Sequence, residues 1–236
     1  MAAPLTEAAI DRLRELIASG TLRPGDRLPP EMELATQIGA SRNTIREAVR
    51  ALVTAQVLDV RRGDGTYVTS LRPELLLHGV AFAAEMLQPE HALELVAVRR
   101  ILESAASGLA ARYVDESTLA ALAACLDDMR TSETHEILVQ HDARFHALVA
   151  RASGNATLAS MLTGVSSQTV RARVWRGNLD QRVIARTLSQ HADILDALVA
   201  RDPVLAEATA VAHVATTEAW LREVVAERAR GVRRDG

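Results

Sequence analysis

Asp142 and His146 stand four residues apart in a stretch with helical periodicity, so both side chains leave one face with β-carbons roughly 5 to 6 Å apart. His191 and His213 lie in two later helical stretches, beside small or apolar neighbours such as Ala192, Ile194, Ala212 and Val214. Three imidazoles and one carboxylate form a nitrogen and oxygen donor set without thiolate. That set suits a divalent metal, zinc foremost, with nickel, manganese or iron as the other options. Taken singly, each histidine is more often an ordinary core or surface residue than a ligand, and the Asp-x-x-x-His spacing alone is a weak signal. The other histidines, His78, His91, His135 and His141, fall near helix starts or on other faces and are expected to be solvated.

A second constellation runs from Ser41 to Arg50. On a helical wheel Ile45, Ala48, Val49 and Leu52 make one apolar stripe, while Arg42, Asn43, Arg46 and Arg50 cluster on the adjacent face. Arginine can bridge O6 and N7 of guanine, and asparagine can bridge N6 and N7 of adenine. Ser41 and Thr44 suit phosphates. The whole chain carries a net charge of -3, yet between residues 40 and 63 five arginines face only Glu47 and Asp59. That local excess is the footprint phosphate binding requires. The bland alternative is a solvated helix face.

The elements that must position these residues are mostly helices. Leu5, Ile10, Leu13 and Ile17 lie close to helical spacing, with Gly20 as a stop. A turn at Arg23-Pro24-Gly25-Asp26 precedes a short helix that opens at Leu28-Pro29-Pro30-Glu31 and ends at Gly39. Ser41 caps the arginine-bearing helix. Val60-Arg61-Arg62 and Thr66-Tyr67-Val68-Thr69 flank Gly63-Asp64-Gly65, a hairpin signal. Two short helices, a tight turn and a hairpin describe a winged helix-turn-helix over residues 1–70. After a linker at 71–74, residues 75–236 read as an all-α bundle. Its helical stretches are roughly 75–87, 90–112, 115–130, 134–152, 156–175, 179–200 and 203–229, with Asp115 and Asn155 as N-caps and Pro203 at a helix start. The fold class is mainly α.

Composition removes several chemistries. All 27 basic residues are arginine, so no P-loop lysine, Schiff base or pyridoxal-phosphate aldimine is available. The single cysteine, Cys125, precludes an internal disulfide or a cysteine-rich zinc cluster, fits a reducing compartment and reads as a core thiol. Glu7, Asp11 and Glu15 interrupt the N-terminal apolar stretch, so no signal peptide is expected, and the longest uncharged run, 152–170, is too polar for a membrane span. A cytoplasmic address without membrane association is the expectation.

The run Leu28-Pro29-Pro30-Glu31-Met32-Glu33-Leu34, then Ser41-Arg42-Asn43-Thr44-Ile45-Arg46-Glu47-Ala48-Val49, then Gly63-Asp64-Gly65-Thr66-Tyr67-Val68 resembles the DNA-binding domain of GntR-family bacterial transcription regulators. The likeness covers nearly all of residues 5–69. It implies that Arg42, Asn43, Thr44 and Arg46 contact an operator, with Arg62 and Gly63 at the wing tip probing the minor groove. Many members carry arginine where this chain has Met32. Farther on, Arg99-Arg100-Ile101-Leu102-Glu103, Asp142-Ala143-Arg144-Phe145-His146 and Ala152-Ser153-Gly154-Asn155 are similar to the FCD domain of the FadR subgroup. In metal-binding members the equivalents of Asp142, His146, His191 and His213 hold the ion.

These features together imply a regulator, not an enzyme: a homodimer on a double-stranded DNA operator, usually a repressor, responding to a small carboxylate effector at a metal site. Arg99 is a candidate anchor for that carboxylate; the alternative is an intrahelical pair with Glu103. Arg171, Arg173 and Trp175 are further candidates for the pocket lining. Two rival readings remain at this point, a metal-free family member that senses an acyl chain and a metallohydrolase. Against the latter stand the absence of a His-Glu-x-x-His helix, a nucleophile elbow or an evident general base.

Overall fold

The computed structural model describes residues 3–87, 91–166 and 181–232. The chain divides into two compact units, Met1–Gly79 and Val80–Gly236.

In the first unit, α1 (Ala3–Ala18), α2 (Glu31–Ile38) and α3 (Arg42–Thr54) precede a hairpin of β1 (Leu58–Arg61) and β2 (Gly65–Val68). Pro30 precedes α2 at its N-cap position without a side-chain cap, and Gly39 ends it at φ 75, a left-handed position that suits glycine. The chain then turns within two residues, and Ser41 starts α3 by accepting from the Thr44 amide at 3.1 Å. Ile45, Ala48, Val49 and Leu52 are buried as the wheel requires, against Ala9 and Leu13 of α1 and Leu34 of α2. The antiparallel register is Leu58↔Val68, Asp59↔Tyr67, Val60↔Thr66 and Arg61↔Gly65, which leaves Arg62, Gly63 and Asp64 as the turn. The helix expected to open at Leu28 begins at Glu31, and the residues between it and the turn add a third edge: Arg27 bridges to Tyr67, and Leu28 donates to the Thr66 carbonyl at 2.8 Å. This ties the hairpin to the approach to α2. Residues 71–74 hold Leu71 at φ 52 and the first two residues of α4 (Pro73–Leu76), where the fixed φ of Pro73 suits a first helical position.

The remaining helices are α5 (His78–Met86), α6 (Ala92–Tyr113), α7 (Glu116–Arg130), α8 (His135–Ala152), α9 (Ala156–Val165), α10 (Gln181–Val199) and α11 (Pro203–Val232). The single helix expected over 75–87 is two pieces, α4 and α5, parted at Leu77. Asp115 and Asn155 cap α7 and α9 through the amides of Thr118 and Leu158, at 2.7 and 3.0 Å. Helix α6 lies along α11, while α8 packs against α6 and α7. Their shared core gathers Ala110, Leu122, Leu126, Phe145, Val149, Ile194, Leu198 and Ala206 and is dominated by Ala and Leu. Cys125 is fully buried there, its thiol donating to the His141 carbonyl. No helix among the described residues is long and apolar enough to cross a membrane.

Candidate functional site

The first unit presents its arginines outward. Burial of Ile45, Ala48, Val49 and Leu52 fixes the rotation of α3, so Arg42, Asn43 and Arg50 are exposed and Arg46 half-buried. Glu31, the first residue of α2, reaches across the turn to two of them. Arg46 donates from Nε to Oε1 at 3.3 Å and from Nη2 to Oε2 at 3.0 Å, and Arg42 donates from Nε to Oε2 at 3.2 Å. The Arg46 guanidinium holds the Glu31 carboxyl below its usual range, with Arg42 adding to the effect. Arg50 pairs with Glu47 at 2.8 Å, and the Thr44 hydroxyl lies 2.8 Å from that of Ser41. On the hairpin Arg61 covers the Tyr67 ring at 4.0 Å, leaving exposed Arg62 and Gly63 at the tip, with Gly63 at φ 75. Met32 is exposed.

The second unit draws Asp142, His146, His191 and His213 into one buried cluster, from α8, α10 and α11, with one donor atom of each within 4.8 Å of all the others. The 2.9 Å contact of His146 Nδ1 with Glu103 Oε2 favours a proton on Nδ1, and that of His191 Nδ1 with the Thr187 carbonyl at 2.8 Å does the same. In the neutral rings both Nε2 atoms then carry lone pairs. Those atoms nevertheless lie 3.2 Å apart, and His213 Nε2 is 3.2 Å from His146 Nε2. Asp142 Oδ1 adds a carboxylate oxygen 3.2 Å from His191 Nε2 and 3.6 Å from His146 Nε2. His146 Nε2, His191 Nε2 and Asp142 Oδ1 then face one another as acceptors, an arrangement a cation relieves, and 3.2 Å is close to the roughly 3.3 Å edge of a tetrahedron with zinc-nitrogen bonds of about 2.05 Å. Burial pushes both His191 and His213 below the usual imidazole value; Asp142 opposes the shift at His191, while the neighbouring imidazoles deepen it at His213. Neutral rings are the ones that can ligate. His213 Nδ1 is buried without a hydrogen-bond partner among the described residues.

Beside this cluster Arg99 is almost wholly buried and donates from Nε to Glu103 Oε1 at 2.8 Å. The intrahelical pair foreseen as an alternative therefore exists, but Arg99 Nη1 has no hydrogen-bond partner among the described residues. A cavity of about 130 Å³ adjoins His146, its described lining including Glu103, Ala147, Ala150, Leu162 and Ser166. A larger one of about 590 Å³ lies between α10 and α11, bordered by Arg186, Thr187, Thr216 and Trp220 among others.

Residues 5–68 match the gntR family of bacterial regulatory proteins, and residues 94–216, more than half the chain, match the FCD domain. The chain is a GntR-family transcription regulator. Its helical domain is an FCD domain. The regulator is 30% identical over 209 residues to the HTH-type transcriptional regulator LutR of Bacillus subtilis, covering 86% of this chain and 94% of that protein. To the galactonate operon transcriptional repressor of Escherichia coli it is 27% identical over 226 residues, covering 93% and 97%. Its fold is similar to that of a solved GntR protein of Streptococcus agalactiae, with a TM-score of 0.64 and 27% identity over 90% of this chain and 98% of that one. These relatives are regulators, and regulation rather than catalysis is the work of this chain.

Of the residues singled out from sequence, the structure gathers all four histidine and aspartate candidates and exposes Arg42, Asn43, Arg62 and Gly63 on the first unit of the regulator. Arg171, Arg173 and Trp175 lie outside the described residues. His78, His91 and His135 are exposed, whereas His141 is half-buried 3.7 Å from Asp128. Sequence reasoning did not assign Glu103 as the partner of His146 or Glu31 as the partner of Arg42 and Arg46. The available signal for Glu103 was an acid inside the apolar run Ile101 to Ala111. For Glu31 it was only a position at a helix start.

Proposed function

We propose that this regulator is a metabolite-responsive repressor that binds a near-palindromic operator as a homodimer and releases it when a small carboxylate occupies a metal site in the FCD domain. Asp142, His146, His191 and His213 would hold the metal, zinc first. The ion would supply a Lewis-acidic position for an anionic effector. Glu103 and the Thr187 carbonyl orient two of the rings, and Arg99, buried and with no partner for its Nη1 among the described residues, offers a second grip on a carboxylate. The likeness to a galactonate operon repressor favours a sugar acid or short organic acid as effector. Ser41, Arg42, Asn43, Thr44 and Arg46 would face the major groove, and Arg62 and Gly63 the minor groove. One short helix covers few base pairs, so two copies about one DNA turn apart supply useful affinity. Effector binding would shift the population toward a spacing of reading heads that no longer matches the half-sites.

The observation that supports this most is the meeting of three imidazole Nε2 atoms and a carboxylate oxygen in a buried space. The test is metal analysis of the purified protein together with thermal unfolding and DNA binding, with and without a chelator. Stoichiometric metal is expected, with a lower melting temperature after chelation because a bound ion stabilises the native state by mass action. His146→Ala should reproduce both losses. Wild-type melting and metal content in that variant would remove the metal site from the proposal.

A further inference from the structure

We propose that Glu31 is a positioning residue for base reading, which holds the guanidinium groups of Arg42 and Arg46 so that their outer edges, and not their Nε edges, meet the DNA. The proposal rests on the reading of α3 as the recognition helix. Both arginines spend their Nε–H on Glu31, and Arg46 also spends one Nη2 hydrogen. A guanidinium has five donors in a rigid fork, so with the Nε side occupied the remaining Nη hydrogens form one outward-facing edge. That end-on edge matches O6 and N7 of guanine. A long arginine left unbraced samples many rotamers and can grip any phosphate within reach; bracing removes entropy that binding would otherwise cost.

Charge works in the same direction. Glu31 is held ionised at the start of α2, where the helix dipole also favours an anion. It therefore cancels part of the positive field of α3 and weakens sequence-independent attraction to phosphates, while leaving the outer donors free. Met32, the next residue, is exposed and adds no cation there. The combined effect is a lower affinity for arbitrary DNA and a preserved affinity for a matching site, a gain in the ratio between the two.

The experiment uses the full-length protein, a duplex enriched by it from a random-sequence library, and a shuffled duplex of the same length and composition. Fluorescence anisotropy gives both affinities over a series of salt concentrations for wild type, Glu31→Gln, Glu31→Asp and Arg46→Ala. Glu31→Gln is expected to bind the shuffled duplex more tightly and to lose about tenfold in the specificity ratio, the order of discrimination that one bidentate guanidinium contact gives. Its salt dependence on the shuffled duplex should steepen by about one counterion, because a released arginine reaches a phosphate. Glu31→Asp, which keeps the charge, should restore part of the ratio. A ratio and salt slope in Glu31→Gln equal to wild type, while Arg46→Ala loses the ratio, overturns the role of Glu31 alone. A wild-type ratio in Arg46→Ala overturns the recognition-helix reading and the proposal with it.

Discussion

The two units gather similar ingredients, nitrogen bases around carboxylates, under opposite solvent conditions. On α3 the side chains of Arg42 and Arg46 keep 63% and 41% of their exposure and Glu31 keeps 35%. In the FCD domain those of Asp142 and His146 keep 4% and 9%. Water screens the first set, so its ion pairs contribute little to stability, and the guanidinium donors that face outward are open to phosphates and base edges. The second set cannot exchange partners with solvent, and each buried polar atom left unmatched costs the protein directly. Exposure thus separates a surface that can take on further contacts from an interior that must be completed.

The contrast can be broken most directly at Glu103. Replacing it with alanine removes the partner of both buried Arg99 and His146, and a loss of about 3 to 5 kcal/mol in urea unfolding is expected, since one charge is stranded in the interior. A loss below about 1 kcal/mol would mean that this interior is wetter than its burial indicates.

Acid should separate the units next. His191 and His213 are held neutral below the usual value near 6.5, so beneath that pH the unfolded chain takes up protons that the folded, metal-free protein refuses. The unfolded state then binds more protons, and stability falls as pH drops from about 7 to 5. Glu31 has its carboxyl lowered from 4.5, so its contribution is present above that value and fades only as pH falls through its lower folded value. Both tryptophans, Trp175 and Trp220, belong to the second unit, so their emission can follow metal-free unfolding there. Equal melting temperatures at pH 7 and 5 would contradict neutral buried imidazoles. The smallest effect is expected at Ser41→Ala, about 1 kcal/mol from a lost N-cap, read by chemical denaturation. No change would show that the Thr44 amide finds another acceptor.

Much of this was legible in the sequence because local rules dominate it. Ser41, Asp115 and Asn155 each cap the helix expected of them, and the apolar stripe of α3 fixes which way its arginines point. The four candidate ligands meet although they come from three helices, a meeting that spacing alone gave only weak grounds to expect. What stayed hidden was the second use of residues that already had a local explanation. Glu103 is satisfied on paper by Arg99 four residues earlier, and its contact with His146 depends on how α6 meets α8. Glu31 lies eleven and fifteen residues from its arginines, across a turn whose exact path periodicity does not encode. Similarly, Arg27 joins the hairpin only because the chain before α2 folds back along β2.

The closing helix, Pro203–Val232, carries His213 in its first half. From His213 the rod continues for roughly 28 Å at 1.5 Å per residue. A tilt of about 5° pivoting at that imidazole would swing the distal tip by about 2.5 Å, a displacement on the scale of half a helical turn. A small rotation at the buried imidazole would thereby be magnified along the length of one rigid element.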